Sequence, residues 1–255
     1  MNLEQVRAVI TGGASGLGLA VARHLIAQGA RVALFDVNAD KGAAALVTLG
    51  AAASFQRVDV SDEGQVLAAV ASAAQQLGGL NAAINCAGIL GAGRVLGKDG
   101  PMPLSQFETT VRVNLIGSFN IAKAAAAAMQ HNAAGEDGER GVIIHTASIA
   151  AFEGQIGQCA YSASKGGVVA MTLPMAREFA RIGVRVVTIA PGVFHTPMVE
   201  GMPDNVYQSL CAQVPFPSRL GKAEEFAQTV AFVLQNRYVN GSTIRVDGAI
   251  RLPPK

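Results

Sequence analysis

Tyr161 and Lys165 stand four residues apart in the stretch Tyr-Ser-Ala-Ser-Lys. On a helix such a pair shares one face. A free phenol ionises near pH ~10 and is a poor base at neutrality. A neighbouring ammonium favours the phenolate and draws that value toward working pH. The pair could then move a proton at a carbonyl or hydroxyl oxygen. The same spacing also arises on solvated helix faces, so the rest of the chain must decide. Ser148 precedes Tyr161 by thirteen residues. A serine in a strand-to-helix turn is often an N-cap. With Tyr161 close behind, its hydroxyl becomes a candidate for holding a substrate oxygen.

A second group of residues points to a nucleotide. Thr11-Gly-Gly-Ala-Ser-Gly-Leu-Gly18 joins an apolar run to a helical one. Gly12, Gly16 and Gly18 permit a tight turn and close approach of backbone to a pyrophosphate. With Ser15 and Leu17 they open a helix whose free N–H groups favour an anion. The plainer alternative is a glycine-rich turn without a ligand. Asp36 ends the next β-rich run, 18 residues after Gly18. A carboxylate there accepts from an adenosine ribose and repels a 2′-phosphate. Neither Ser15 nor Val37 is basic, so NAD is expected over NADP; the alternative is that Asp36 caps the turn. Asp59 and Val60 could hold the adenine edge. Asn85, Ala87 and Gly88 close the fourth apolar run, where glycine lets backbone approach the cofactor.

These residues need a scaffold, and its elements are readable. Apolar β-rich runs predict strands at Arg7–Thr11, Arg31–Asp36, Ser54–Asp59, Ala82–Asn85, Gly141–Ala147, Val184–Ala190 and Thr243–Val246. Alanine-rich stretches predict helices near Leu17–Gln28, Asp40–Leu49, Asp62–Leu77, Ser105–His131, Tyr161–Arg181 and Ala223–Leu234. The alternation predicts an α/β fold: one doubly wound Rossmann domain over 1–255, a seven-stranded parallel sheet with helices on both faces. Ile89–Pro103 and Asn132–Arg140 are longer than minimal connections. Gly192–Gly221 is a candidate substrate loop without clear periodicity.

Bulk composition narrows the function classes. Of 255 residues half are hydrophobic and 15% are charged, which fits a sizeable core and excludes disorder. A net charge of +2 supplies no field for nucleic acid or an anionic membrane. No run is long enough to span a bilayer, and the first apolar strand follows Met1 too closely for a signal peptide. The three cysteines, Cys86, Cys159 and Cys211, form no CxxC pair and point to a reducing compartment. The cytoplasm is expected, or the mitochondrial matrix in a eukaryote. Cys159 lies close enough to Tyr161 for a redox role, although a free cysteine usually packs as a small apolar residue. The histidines, His24, His131, His145 and His195, have no metal-ligand spacing.

Taken in order, TGGASGLG at 11–18, Asp59, NCAG at 85–88, Asn114, Ser148, Tyr161-x-x-x-Lys165 and Pro191-Gly192 with Thr196 resemble the short-chain dehydrogenase/reductase family. GVIIHTASIAAFEGQIGQCAYSASKGG, TLPMAREFA, TIAPGVF, VPFPSRLG and VDGAIR look like its type II 3-hydroxyacyl-CoA dehydrogenases, also described as 17β-hydroxysteroid dehydrogenases. The two long loops match that group's insertions, the first slightly shortened here. The resemblance implies NAD-dependent oxidation of a secondary alcohol. Tyr161 would be the base, Lys165 would hold the nicotinamide ribose, and Asn114 would hold a proton-relay water. Pro191, Gly192, Val193 and Thr196 would lie against the nicotinamide. Gln155 could reach a substrate carbonyl. Phe194, Met198, Met202, Leu210, Val214 and Phe216 would line an apolar site for an acyl chain or steroid ring, or else belong to the core. Arg94 and Lys98 are either solvated loop charges or partners for a coenzyme A phosphate. The family is usually tetrameric, pairing the two long helices near 105–131 and 161–181, and the alanine-rich stretch at 121–129 would allow close approach. Rival readings are a hydroxysteroid or simple alcohol dehydrogenase, a 3-oxoacyl-carrier-protein reductase using NADPH, and an NAD-sensing scaffold without turnover.

Overall fold

The computed structural model describes residues 1–98, 100–196 and 204–254. Its strands are β1 (Arg7–Thr11), β2 (Arg31–Asp36), β3 (Ala53–Arg57), β4 (Ala82–Asn85), β5 (Gly141–Thr146), β6 (Val184–Pro191) and β7 (Thr243–Val246). They form one seven-stranded sheet in the order β3-β2-β1-β4-β5-β6-β7. Every pairing in it is parallel.

Side chains alternate across the strands, so each strand feeds two cores. Ala8, Ile10, Val32, Leu34, Ile84 and Ile144 face one layer, with Val21 and Leu25 of α1 (Gly16–Ala27) and Phe226 and Val230 of α8 (Ala223–Gln235). Val9, Ala33, Phe35, Ala83 and Ile143 face the other, with Val66 and Val70 of α3 (Glu63–Leu77) and Ile121 of α5 (Gly117–Met129). Fully burying each of the larger side chains contributes about 1.5–3 kcal/mol. α2 (Ala39–Leu49) adds Ala45 and Leu49 to the first layer, and α6 (Cys159–Phe179) adds Met175 and Ala176 to the second; α4 (Leu104–Val111) and α7 (Asp204–Ala212) complete the helices.

The sequence expectation of one helix over Ser105–His131 needs refinement. Arg112–Ile116 between α4 and α5 forms a π-helical turn, which turns Asn114 fully inward. Single π turns of this kind often mark functional positions. The alanine stretch also packs within the chain. Ala122, Ala124, Ala125 and Ala126 pack inside the chain with Ala69 and Ala73 of α3. They let α3 and α5 approach closely within one molecule.

Strand order reverses between β1 and β4, where Thr11 pairs with Asn85. A doubly wound sheet opens its ligand crevice at this switch point, beyond the carboxyl ends of the strands. Among the described residues, no helix is long and apolar enough to cross a membrane, and no cluster of acidic, histidine or cysteine side chains could hold a metal.

Candidate active site

The glycine turn between β1 and α1 is shaped by close contacts. Gly12 and Gly16 have φ of 62° and 52°, which side chains disfavour. A Cβ on Gly18 would lie 2.3 Å from the Gly12 carbonyl oxygen. Thr11 Oγ1 accepts from the Ala87 amide at 3.1 Å and ties the turn to the end of β4. Asn38 and Asp62 cap α2 and α3 with their side chains, whereas Ser15 makes no such bond to α1. The N–H groups of Gly16, Leu17 and Gly18 open α1 without a side-chain cap from Ser15. This suits a pyrophosphate.

The Asp36 carboxylate accepts from Ala14 N at 3.3 Å and Asn38 N at 3.0 Å, so it braces the turn at the end of β2, as the second sequence reading expects. Sequence spacing missed Arg57, which pairs with Asp36 across β2 and β3. Its Nε donates to the Val37 carbonyl at 3.2 Å. Asp59 and Val60 fall just beyond β3, which ends at Arg57 rather than at Asp59. The Val60 carbonyl takes a bond from Asn120 at 3.1 Å, which fixes this corner.

The catalytic group is assembled by α6, β5 and the π turn. Tyr161 lies in the first turns of α6, and Ser148 follows β5. Ser148 Oγ accepts from the Ala150 amide at 3.1 Å and caps the turn after β5. Burial raises Tyr161 above its ordinary value, and the nearby Ser148 hydroxyl opposes this in part. The expectation that Lys165 draws the tyrosine down is therefore not met in the protein by itself. The Lys165 ammonium is turned to the Thr146 carbonyl at 2.7 Å and sits 5.9 Å from the Tyr161 ring centroid. Burial lowers Lys165 from 10.5 to about 8, with Cys86 pulling slightly the other way. A Cβ on Gly88 would come within 3.4 Å of Lys165 Nζ and 3.1 Å of Asn114 Oδ1. A side chain there would crowd both groups, so glycine suits this position.

Asn114 is committed to its surroundings. Its Oδ1 accepts from Ile89 N at 2.8 Å, and its Nδ2 donates to Ile89 O at 2.9 Å and Ser164 Oγ at 3.0 Å. Ser164, another residue that spacing missed, donates to the Tyr161 carbonyl at 2.7 Å. Asn114 thus binds the loop after β4 to the Tyr161 helix.

Other expected site residues are distributed differently. Gly192 closes on Asp247, where a Cβ would meet Asp247 Cα at 2.9 Å, and so extends the wall that Pro191 begins. Val193 and Thr196 are half-buried beyond it. Phe194 is corrected: its ring is buried edge-on against Phe226, with centroids 6.3 Å apart, and belongs to the core rather than to a substrate surface. Val214 is likewise core, beside Ile149 and Ile250. Leu210 packs against Cys211 and Leu220, while Phe216 is 83% exposed. Met198 and Met202 lie outside the described residues. Gln155 and Arg94 line a cavity of about 720 Å³ beside the catalytic wall, whereas Lys98 is exposed. That cavity touches Ala150 and Ser162 but neither Ser148 nor Tyr161. A larger one, about 880 Å³, opens at the opposite end of the sheet around Arg7, Arg31 and Arg237, away from these groups.

With its doubly wound sheet and near full-length relatives, the chain is an oxidoreductase of the Rossmann class that works with a nicotinamide cofactor. The chain belongs to the short-chain dehydrogenase family, whose model, described as short chain dehydrogenase, matches residues 6–206. It is 50% identical over 255 residues to the 3-hydroxyacyl-CoA dehydrogenase type-2 of Homo sapiens, covering 99% of this chain and 98% of that one. The protein of the same name from Drosophila melanogaster is 45% identical over 254 residues, covering 99% and 100%. The crystal structure of 3-hydroxyacyl-CoA dehydrogenase type-2 from Mycobacterium avium superposes with a TM-score of 0.93 at 43% identity, over 99% of this chain and 98% of that one.

Proposed function

We propose that the protein oxidises (S)-3-hydroxyacyl-CoA to 3-oxoacyl-CoA with NAD. The reaction reading rests on Tyr161 beside Ser148, with the Lys165 ammonium 5.9 Å from the ring centroid. The substrate reading draws its support from the near full-length similarity to relatives of that name. Gly12, Gly16, Leu17 and Gly18 would hold the pyrophosphate, Asp36 the adenosine ribose, and Lys165 the nicotinamide ribose. Bound nicotinamide would supply the acceptor for the hydride of the carbinol carbon. Ser148 holds the substrate oxygen. Tyr161, as the phenolate, takes the hydroxyl proton and becomes neutral, and the Lys165 ammonium stabilises the phenolate before that transfer. Cofactor charge in the crevice and the ammonium together must lower a tyrosine that burial alone raises. The Asp36 carboxylate, without a basic partner bonded to it, favours NAD over NADP. Arg94, at the cavity edge, is the cation nearest to hand for a coenzyme A phosphate. A homotetramer and a reducing compartment, cytoplasm or mitochondrial matrix, complete the proposal.

The test is formation of NADH from (S)-3-hydroxybutyryl-CoA, followed at 340 nm, with NADP in parallel. NAD is expected to be the better cofactor. Tyr161→Phe should lower kcat by about 10²–10⁴-fold while NAD still binds. Near-normal turnover in that variant would end the proposed chemistry. Turnover of a hydroxysteroid but not of the acyl-CoA would keep the chemistry and replace the substrate.

A further inference from the structure

His145 is a buried ionisable residue that the proposed reaction does not use. It lies on β5, fully buried, opposite Asn85 of β4 and Thr188 of β6. Burial, then the field of Lys165, lowers its value from 6.5 to about 3, so the ring stays neutral. Asn85 Nδ2 lies 3.0 Å from His145 Nδ1 and 3.4 Å from the Ser118 carbonyl. With the amide oriented so that Nδ2 donates to that carbonyl, Nδ1 is the acceptor and Nε2 carries the hydrogen. Neither His145 Nε2 nor Asn85 Oδ1 has a protein partner. An unpaired buried polar atom costs about 1–3 kcal/mol. Packing alone would favour an apolar side chain here, as at Ile143 on the same face of the strand.

Two connections lead from the ring to the catalytic groups. The next residue, Thr146, offers the carbonyl that receives Lys165 Nζ. Through Asn85 the ring reaches Ser118, whose Oγ donates to the Asn114 carbonyl at 2.7 Å. Asn114 then binds Ser164, and Ser164 binds the Tyr161 carbonyl. We infer that His145 is a positioning residue: by holding the Asn85 amide toward Ser118, it fixes the groups that aim Lys165 and Asn114 at Tyr161.

The inference rests on the Tyr161–Lys165 reading above. The titratable groups around it are Lys165 from α6 and Cys86 at the end of β4, while α5 and β6 contribute the neutral Ser118 and Thr188. Burial pushes the Cys86 thiol up to about 11, so it is neutral at working pH. The charge that a change at His145 disturbs is therefore that of Lys165.

The experiment compares the pH profiles of kcat and KM for 3-hydroxybutyryl-CoA oxidation in the wild type, His145→Leu, His145→Asn and Ser118→Ala. His145→Leu should lose about tenfold in kcat with KM for both substrates nearly unchanged. A less well aimed ammonium leaves Tyr161 harder to ionise, so the acid limb should move up by about half a pH unit. His145→Asn keeps an acceptor for the Asn85 amide and should restore both properties. Ser118→Ala cuts the same connection one step on, should reproduce the shift, and serves if His145→Leu does not fold. An active Tyr161→Phe removes the reading beneath the inference. With Tyr161→Phe inactive, wild-type kcat and pH profile in His145→Leu or, if that does not fold, in Ser118→Ala overturn the inference, whatever the melting temperature. His145→Asn performing no better than His145→Leu overturns it equally.

Discussion

Lys165 brings an ammonium into a place where 4% of its surface remains exposed. The folded protein holds it near about 8, against 10.5 for the free side chain. Below pH 8 the lysine is protonated in both states, and the native state bears the full desolvation cost. Between about 8 and 10.5 the unfolded chain binds more protons, so this cost shrinks and stability rises with pH. The difference corresponds to about 3 kcal/mol, from which the bond to Thr146 returns about 1 kcal/mol. Lys165→Met should therefore be inactive yet stabilise the cofactor-free protein by about 2 kcal/mol at pH 7, raising Tm by roughly 4–8 °C. Thermal melts at pH 7 and 9.5 check this, and the advantage must narrow at the higher pH. A variant with no advantage at pH 7, or one that keeps it unchanged, contradicts the account. Function and stability oppose each other here, as is common where a site holds a perturbed charge.

Elements were legible in the sequence to the degree that they follow periodicity. β1, β2 and β4 fall where their apolar runs predict, because both faces of each strand are buried and the run itself marks the strand; β7 does so although it is only half-buried. β3 stops short of Asp59, since Asp59 begins the turn and accepts from Ser61 N at 2.9 Å. The π turn at Asn114 was not legible, because one extra residue in a single turn leaves the helical pattern on either side intact. Ser148, Tyr161 and Lys165 were legible by order and spacing. Arg57, Ser164 and His145 were not, since each acts across strands or helices distant in sequence. The start of α1 is where element and site coincide most tightly. A methyl group at Gly18 would meet the Gly12 carbonyl, which is backbone and cannot rotate aside. Gly18→Ala must push α1 off β1, lowering Tm and weakening NAD binding by about tenfold or more. Calorimetric titration with NAD measures the second effect. Wild-type affinity in a folded Gly18→Ala variant would remove this turn from the cofactor site.

At the scale of the whole molecule, the chain leaves a surface that water does not suit. α6 exposes Ala163, Ala170, Leu173 and Pro174, and between Ser162 and Ala176 its one charged residue, Lys165, is buried. Beside it, α4 and the π turn expose Leu104 and Ile116, and α5 exposes Phe119. A largely apolar helical face of this breadth, charged on the α4 side at Glu108 and Arg112, is covered in most folded proteins. Gly166, Gly167 and the exposed alanines of α6 are small enough for a second helix to approach closely. A second copy is the natural cover, because a twofold axis sets the same face against itself. The four-chain assembly proposed above needs one further contact of this kind. Ala170→Glu would set two carboxylates into the seam, where burying unpaired charge costs several kcal/mol. Light scattering on the eluting protein should give four chain masses for the wild type and two or one for Ala170→Glu. The cofactor crevice lies on the carboxyl edge of the sheet, so the smaller assembly should still bind NAD. A wild type that elutes as a monomer at micromolar concentration, or an Ala170→Glu variant that keeps the wild-type mass, would show that this face is left to solvent.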